Sequence, residues 1–143
     1  MSGKQPKRKD RLGVDRYGRT ELHYAASEND IAKAQALVKA KVDVNTRDDN
    51  EWAALHFAAQ SNSLEVAKLL LEASAEVDPT DSHGNTPLST AVFNSKGYGE
   101  LIVLLREHGA GPYYQNHHGQ SPLGLARSIA NYDVAQFFDD LPK

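Results

Sequence analysis

The residues of this 143-residue chain that could do chemistry are its six histidines, together with scattered Ser, Asp and Glu. His23 and His56 stand 33 positions apart, each in the pattern Leu-His-x-Ala-Ala. Imidazole is a common metal ligand and general base, so two histidines in matching positions raise the question of a metal or catalytic site. His117 and His118 form a second pair, adjacent in the sequence.

Neither pair fits such a site well. Matching positions 33 residues apart would lie on equivalent helices of neighbouring structural units, and such helices lie about 8–10 Å apart. His23 and His56 could therefore not easily share a metal ion. We expect each of these imidazoles to form hydrogen bonds with nearby backbone or side chains instead. His117 and His118 are consecutive in a turn, so their side chains should point apart.

The rest of the chain contains no other catalytic pattern. No Gly-rich phosphate-binding loop follows a strand, and no nucleophile elbow is present. The absence of cysteine excludes a disulfide, a thiolate nucleophile and a cysteine-based metal site. We therefore predict a protein that is not an enzyme and that has no cofactor, no metal and no small-molecule substrate.

The 33-residue spacing extends beyond the histidines, because Val77-Asp78 falls on Val44-Asn45 at the same offset. The pattern Asp-x-x-Gly-x-Thr also begins two longer segments, Asp15-x-x-Gly18-x-Thr20-x-Leu22-His23-x-Ala25-Ala26 and Asp81-x-x-Gly84-x-Thr86-Pro87-Leu88-x-x-Ala91. Self-similarity at this period is typical of a stacked repeat. The sequence resembles the ankyrin-repeat family. The resemblance implies an all-α solenoid of about four helix-turn-helix repeats joined by β-turn fingers.

We place the repeats at about residues 15–47, 48–80, 81–115 and 116–143, within a single domain of residues 14–143. The third repeat is two residues longer than the first two, and we place its insertion between its two helices, at residues 94–99. The second helix of the second repeat, residues 64–71, is apolar on most sides and should have neighbours on both faces. The last helix should direct Val134, Phe137 and Phe138 inward and form the C-terminal cap.

Charge separates the start of the chain from the rest. Residues 1–11 carry a net charge of +4 within a total of −3, which leaves −7 for the remainder. We interpret residues 1–13 as a basic flexible tail, either a solvated segment or an arm for nuclear import or nucleic-acid contact. The acidic body argues against nucleic-acid binding by the folded domain and favours a partner with a basic surface.

Hydropathy predicts a cytoplasmic protein. No apolar run approaches the roughly 18 residues that a membrane span needs, and no secretion signal stands at the N-terminus. We expect a monomer that does not contact a membrane.

The ankyrin resemblance implies a concave recognition surface made of the finger tips and the exposed side of each first helix. The finger residues at matching positions are Arg16, Tyr17 and Arg19, then Asp48, Asp49, Asn50, Glu51 and Trp52, then Ser82, His83 and Asn85, and finally His117, His118 and Gln120. The matching helix positions are Ser27, Glu28, Gln60, Ser61, Phe93 and Asn94.

Three aromatic residues on this surface are the candidate anchors, because aromatic side chains are enriched in binding hot spots. Trp52 either contacts a partner or lies flat on the next finger. Phe93, where the earlier repeats have Ser27 and Gln60, either contacts a partner or packs under the inserted loop. Tyr17 is either an anchor or a cover for the first finger.

The second finger departs most from the repeat pattern. Glu51 stands where the other fingers have glycine, at a position that favours positive φ, which costs a non-glycine residue of order 1 kcal/mol. Ala53 and Ala54 replace the capping Thr and helix-starting Pro of the third repeat. Lys41 and Ser74 take the helix-end position of Gly109. The finger thus loses local stability and gains acidic charge beside Trp52, which indicates either function or drift.

We therefore predict a non-catalytic module that binds another protein through its concave face. Small stand-alone ankyrin proteins of this kind occur in bacteria. That resemblance and the acidic body suggest an immunity or inhibitor protein that neutralises a basic toxin or nuclease. The alternative is a regulatory adaptor or nuclear factor targeted by the basic N-terminal tail.

Overall fold

The computed structural model describes residues 13–142, so the basic tail predicted at residues 1–13 lies outside the described part except for Gly13. Seven short α-helices and one 3₁₀ helix make up the described regular structure. None of these helices, over residues 13–142, has the length and apolar character needed to cross a membrane. They are α1 Glu21–Glu28, α2 Ile31–Lys39, α3 Ala54–Ser61, α4 Leu64–Glu72, α5 Pro87–Asn94, α6 Glu100–Glu107, α7 Pro122–Ser128 and the 3₁₀ helix Val134–Phe138.

The same turn precedes each of the first helices α1, α3, α5 and α7. Its first residue is Asp15, Asp48, Asp81 or Asn116, and in each case one side-chain oxygen accepts the N–H groups two and four residues later, at 2.8–3.0 Å. The fourth residue of each turn has positive φ, which glycine adopts without strain. This residue is Gly18, Gly84 or Gly119 in three fingers and Glu51, with φ 66°, in the second.

The helices form two layers. The inner helices α1, α3, α5 and α7 pack side by side in chain order, and the outer helices α2, α4 and α6 do the same behind them. The core lies between the layers, where Leu55, Leu70, Leu88 and Ile102 are fully buried. Because α4 packs between α2 and α6, the prediction that this apolar helix has neighbours on both sides is confirmed.

The last repeat differs from the prediction. Its second helix is a five-residue 3₁₀ helix, Val134–Phe138, in place of an α-helix. Val134 and Phe138 are buried and Phe137 is half-buried, so the inward direction of these side chains is as predicted. Arg106 holds this segment through two hydrogen bonds to the Asp140 carboxylate, at 2.7 and 2.9 Å, and one to the Phe137 carbonyl at 3.0 Å.

The inserted residues of the third repeat form a loop after α5, as predicted. Lys96 and Gly97 both have positive φ, at 52° and 91°. The loop ends at Gly99, where a Cβ atom would lie 2.2 Å from the ring of Phe137. Glycine therefore allows the loop to approach the C-terminal 3₁₀ helix.

Candidate functional site

The four fingers form a row because backbone hydrogen bonds join each finger to the next. In each bond, the second residue of one finger donates its N–H to a carbonyl near the tip of the preceding finger. The bonds run from Asp49 to Tyr17 at 2.9 Å, from Ser82 to Asn50 at 3.1 Å and from His117 to His83 at 3.0 Å. Glycine also permits close contact, since a Cβ atom at Gly84 would lie 2.8 Å from the His117 ring. The finger row is therefore preformed by the scaffold.

A second set of contacts joins the fifth residue of each finger to the first residue of the next. Three different side chains perform the same task, and each uses a polar group to reach a carboxylate or carboxamide. These contacts are Arg19 Nε to Asp48 Oδ2 at 3.4 Å, Trp52 Nε1 to Asp81 Oδ2 at 3.0 Å, and Asn116 Nδ2 to Asn85 Oδ1 at 2.9 Å. Trp52 is therefore the second repeat's form of a general inter-finger contact.

The two repeat histidines also connect adjacent repeats. His23 is buried; its Nδ1 accepts the Thr20 N–H at 2.8 Å, and its Nε2 lies 3.0 Å from the Trp52 carbonyl. His56 is also buried, and it makes the equivalent contacts to the Ala53 N–H at 3.1 Å and the Asn85 carbonyl at 2.9 Å.

In both rings Nδ1 accepts a hydrogen bond from a backbone N–H. The ring hydrogen is therefore on Nε2, which donates it to the carbonyl oxygen. Burial lowers the pKa of both His23 and His56, which favours this neutral form. The prediction of structural hydrogen bonds for these two residues is confirmed. Within residues 13–142, no group of three or more His, Asp or Glu side chains is arranged to hold a metal ion.

Trp52 is half-buried, and its indole packs on the inner helix α3. The ring lies edge-on to Phe57, with centroids 4.9 Å apart, and 5.4 Å from the His56 ring. With its N–H bound to Asp81, the indole contributes to the contact between the second and third fingers. The ring therefore rests on its own inner helix and reaches the next finger through its N–H rather than lying flat on it, and Trp52 also lines the concave surface, so its role as a partner anchor stays a prediction.

Asp48 differs from its expected position. It was predicted as one of the finger residues of the recognition surface, but only 4% of its surface is exposed. One oxygen accepts the N–H groups of Asn50 and Trp52, and the other lies beside Arg19. Both oxygens of this carboxylate are bound within the finger row, so the exposed acidic residues of the finger are Asp49 and Glu51. Glu51 Oε1 lies 3.3 Å from Arg47 Nη1.

The first finger presents an aromatic ring next to two cations. Tyr17 is 51% exposed, with the guanidinium carbons of Arg16 and Arg19 at 5.6 and 4.9 Å from its ring centroid. Cations at these distances are attracted to the ring face. The predicted surface therefore begins with a basic aromatic finger and continues with an acidic one.

Two hollows of about 390 Å³ each lie on the concave side, and they share Trp52, Gln60, Asp81 and Asn85. The first lies along the fingers and also contains the predicted residues Arg19, Asp48, Asn50, Ser82 and His83. The second lies among the inner helices α3, α5 and α7. We call it the Phe93 groove, and its walls include Gln60, Phe93, Asn94, Gln120 and Leu125, with Trp52 at one side.

The remaining predicted residues lie outside these hollows. Arg16, Tyr17, Asp49 and Glu51 stand at the edge of the finger row, and His117 and His118 are exposed on the last finger. A larger hollow of about 590 Å³ lies among α4, α6 and the inserted loop, and none of the predicted site residues lines it.

One row of residues on the concave surface was not predicted from the sequence. Phe57, Thr90 and Leu125 each line a hollow, and the first two lie three residues before the predicted positions Gln60 and Phe93. Residues three apart share a helix face. Applying that spacing to the predicted helix positions would have identified Phe57 and Thr90, but not Leu125, because no helix position of the fourth repeat was predicted.

Comparison with known families gives one result. A family model of ankyrin repeats, in three copies, matches residues 22–116. The matched range covers nearly all of α1 and continues through α6 to the first residue of the fourth finger. No curated protein matches the chain.

Proposed function

Because the chain belongs to the ankyrin-repeat family, whose repeats are generally protein–protein interaction modules, we propose that it acts by binding another protein through its concave face. The observation that carries this proposal is Phe93, which is 72% exposed on the inner helix α5. It stands where α1 has Ser27 and α3 has Gln60. A partner that covers Phe93 would bury an aromatic ring that the folded chain leaves in water.

The rigidity of the finger row supports the same proposal. Backbone hydrogen bonds join each finger to the next, and buried histidines join the first three repeats. A preformed surface loses little conformational freedom on binding, which favours affinity. We propose that the action is non-catalytic, since both ring nitrogens of His23 and of His56 are hydrogen-bonded within the stack.

The charge distribution supports a partner with a basic surface. Residues 12–143 carry a net charge of −7, and Asp49 and Glu51 are exposed on the second finger. Opposite charge accelerates association and disfavours wrong partners. We therefore propose a basic toxin or nuclease as the partner, which the chain would neutralise as an immunity or inhibitor protein. We also propose that it acts as a monomer in the cytoplasm.

The experiment that tests this proposal compares Phe93→Ser with the wild type. Serine is the residue at the equivalent position of the first repeat, so the change should leave the fold intact. Partners captured from the native host would be quantified for wild type, Phe93→Ser and the control Tyr98→Ser, which alters a 62% exposed residue of the inserted loop. We expect to capture a partner whose binding is weakened by about 2 kcal/mol, roughly 30-fold in affinity, by Phe93→Ser and is unchanged by Tyr98→Ser.

Two results would contradict the proposal. One is an identical set of partners for wild type and Phe93→Ser, and the other is a partner lost only with Tyr98→Ser. The narrower immunity role has its own test, because expression of the captured partner should then be toxic to cells unless this chain is co-expressed. A captured partner that harms no cells would remove the immunity role and leave protein binding in place.

A further inference from the structure

We propose that the Phe93 groove receives an uncharged segment of the partner polypeptide, which places an apolar side chain on Phe93 and its backbone amides on Gln60 and Gln120. This inference rests on the proposed function, because it takes the concave face as the binding surface. It adds the chemistry of the segment that enters the groove.

The charge of the groove carries the first step. Among the described residues that line it, Asp81 is the only ionisable one. Asp81 is buried. One of its carboxylate oxygens accepts the backbone N–H groups of His83 and Asn85, and the other accepts the indole N–H of Trp52. A partner carboxylate would therefore lose its hydration without meeting a cation, and a partner cation would meet only a buried carboxylate that already accepts three hydrogen bonds, so neither charge is favoured in the groove.

The side-chain amides carry the second step. Gln60, on α3, and Gln120, in the fourth finger, have no side-chain hydrogen bond to any other residue within 13–142. By contrast, the Asn94 amide donates to the Thr90 carbonyl at 2.9 Å, and the Asn116 amide serves the inter-finger contact. A free carboxamide offers both donor and acceptor, which match the C=O and N–H of a peptide backbone.

Phe93 lies between the two glutamines in repeat order. It belongs to the third repeat, between the second repeat that supplies Gln60 and the fourth that supplies Gln120, and Leu125 is a half-buried apolar neighbour in the same groove. An apolar or aromatic partner side chain would cover the Phe93 ring while the flanking backbone reaches the two glutamines. The acidic residues Asp49 and Glu51 line neither hollow, so their attraction acts on the approach of the partner rather than on the segment in the groove.

A peptide selection tests this inference on the full chain. Random peptides of about 12 residues, which extend to roughly 40 Å, would be displayed on phage and selected on the immobilised wild-type protein. Enriched peptides would be synthesised, and their Kd measured by fluorescence anisotropy against wild type, Phe93→Ser, Gln60→Glu and the control Tyr98→Ser. All three altered residues are exposed, and a thermal melt checks that each variant folds.

We expect enriched peptides with an uncharged centre that contains one aromatic or aliphatic residue. Phe93→Ser should raise the Kd of these peptides about tenfold or more, and Gln60→Glu should raise it as well. Tyr98→Ser should leave the Kd unchanged. Peptides with Lys or Arg at the centre that Gln60→Glu binds more tightly would overturn the inference and leave the proposed function intact. An absence of enriched peptides would also overturn the inference. Peptides that are insensitive to Phe93→Ser and lost with Tyr98→Ser would overturn both.

Discussion

Trp52 stands at the fifth position of its finger, where the neighbouring fingers have Arg19 and Asn85. All three side chains contact the first residue of the next finger, although their chemistry differs. A loss of partner binding after replacing Trp52 by alanine would therefore combine a change in the surface with a change in the scaffold. Within residues 13–142, Phe93 makes no contact of this kind and is 72% exposed, so it is the better residue for testing recognition.

Trp52→Phe should lower the free energy of unfolding by about 1–3 kcal/mol. The change keeps an aromatic ring beside Phe57 and removes the N–H that donates to Asp81 Oδ2, which leaves a buried carboxylate oxygen unpaired. Urea unfolding measures the effect. Phe93→Ser is the control and should change stability by no more than about 0.5 kcal/mol. Equal stability of Trp52→Phe and wild type would show that the indole N–H contributes nothing to the stack.

Glu51→Gly should stabilise the protein by up to about 1 kcal/mol. Glu51 has φ 66°, a conformation that glycine adopts without strain. The exposed ion pair with Arg47 is lost in exchange, but such pairs contribute little. Glu51→Ala is the matched control, because it loses the same ion pair and keeps the strain. If unfolding in urea ranks Glu51→Gly no higher than Glu51→Ala, backbone strain at this finger is not significant.

At the scale of the helices, the first helices differ in how their N-termini are capped. Thr20, Thr86 and Ser121 each accept a backbone N–H from the first turn of the following helix. Ala53 has no side-chain acceptor, and α3 keeps only the contact from the Ala53 N–H to the His56 ring. The backbone at Ala53, with φ −86° and ψ 167°, nevertheless matches that at Thr20, with φ −95° and ψ 173°.

Ala53→Thr should therefore stabilise the protein by about 1 kcal/mol. Its hydroxyl would reach the His56 N–H as Thr20 reaches that of His23, and the buried Thr86 occupies the equivalent site in the next repeat. Ala53→Val is the control, because valine has nearly the shape of threonine and no hydroxyl. Equal free energies of unfolding for the two variants would mean that the cap hydrogen bond does not form.

The C-terminal 3₁₀ helix is another feature at this scale. The inward side chains Val134, Phe137 and Phe138 have a spacing that both α and 3₁₀ helices accommodate, so the pattern alone did not distinguish the two. The short form occurs where Arg106 binds the Phe137 carbonyl and Asp140, and where Gly99 lies against the Phe137 ring.

At the scale of the whole molecule, the free energy of unfolding should fall as the pH drops below about 6.5. Burial lowers the pKa of His23 and His56 in the folded protein, whereas both titrate near 6.5 in the unfolded chain. The unfolded chain therefore takes up protons first, so the contribution of both residues is complete above pH 6.5 and declines below it. Urea unfolding between pH 8 and pH 5 measures the decline.

Asp78 should act in the opposite direction and supplies the control. Burial raises the pKa of Asp78, so its contribution to stability is lost as pH rises through that raised pKa and is regained as pH falls. Asp78→Asn removes this term, and asparagine is the residue at the equivalent position of the first repeat, Asn45. We expect Asp78→Asn to keep the decline below pH 6.5, because both buried histidines remain in place. A flat profile in both proteins would contradict neutral histidine bridges.

Local sequence patterns predicted the features that depend on neighbouring residues in the chain. The 33-residue period, the turns that begin with Asp or Asn and the positive φ of Glu51 are confirmed. Lys41 and Ser74 have positive φ as Gly109 does, in agreement with their equivalent helix-end positions. The bounds of α4, Leu64–Glu72, agree with the predicted range of residues 64–71 to within one residue. Turn geometry and caps involve hydrogen bonds that span four residues or fewer, so the local sequence specifies them.

The exposure of individual side chains depends instead on contacts between repeats. Asp48 is buried beside Arg19, and Trp52 is bound to Asp81, in both cases through a partner 29 residues away in an adjacent repeat. Phe93 lies at the same kind of helix position as Gln60 and remains exposed, because the concave groove has no described residue to cover it. Such contacts depend on how far each repeat is displaced and rotated relative to the next, which no spacing within one repeat encodes.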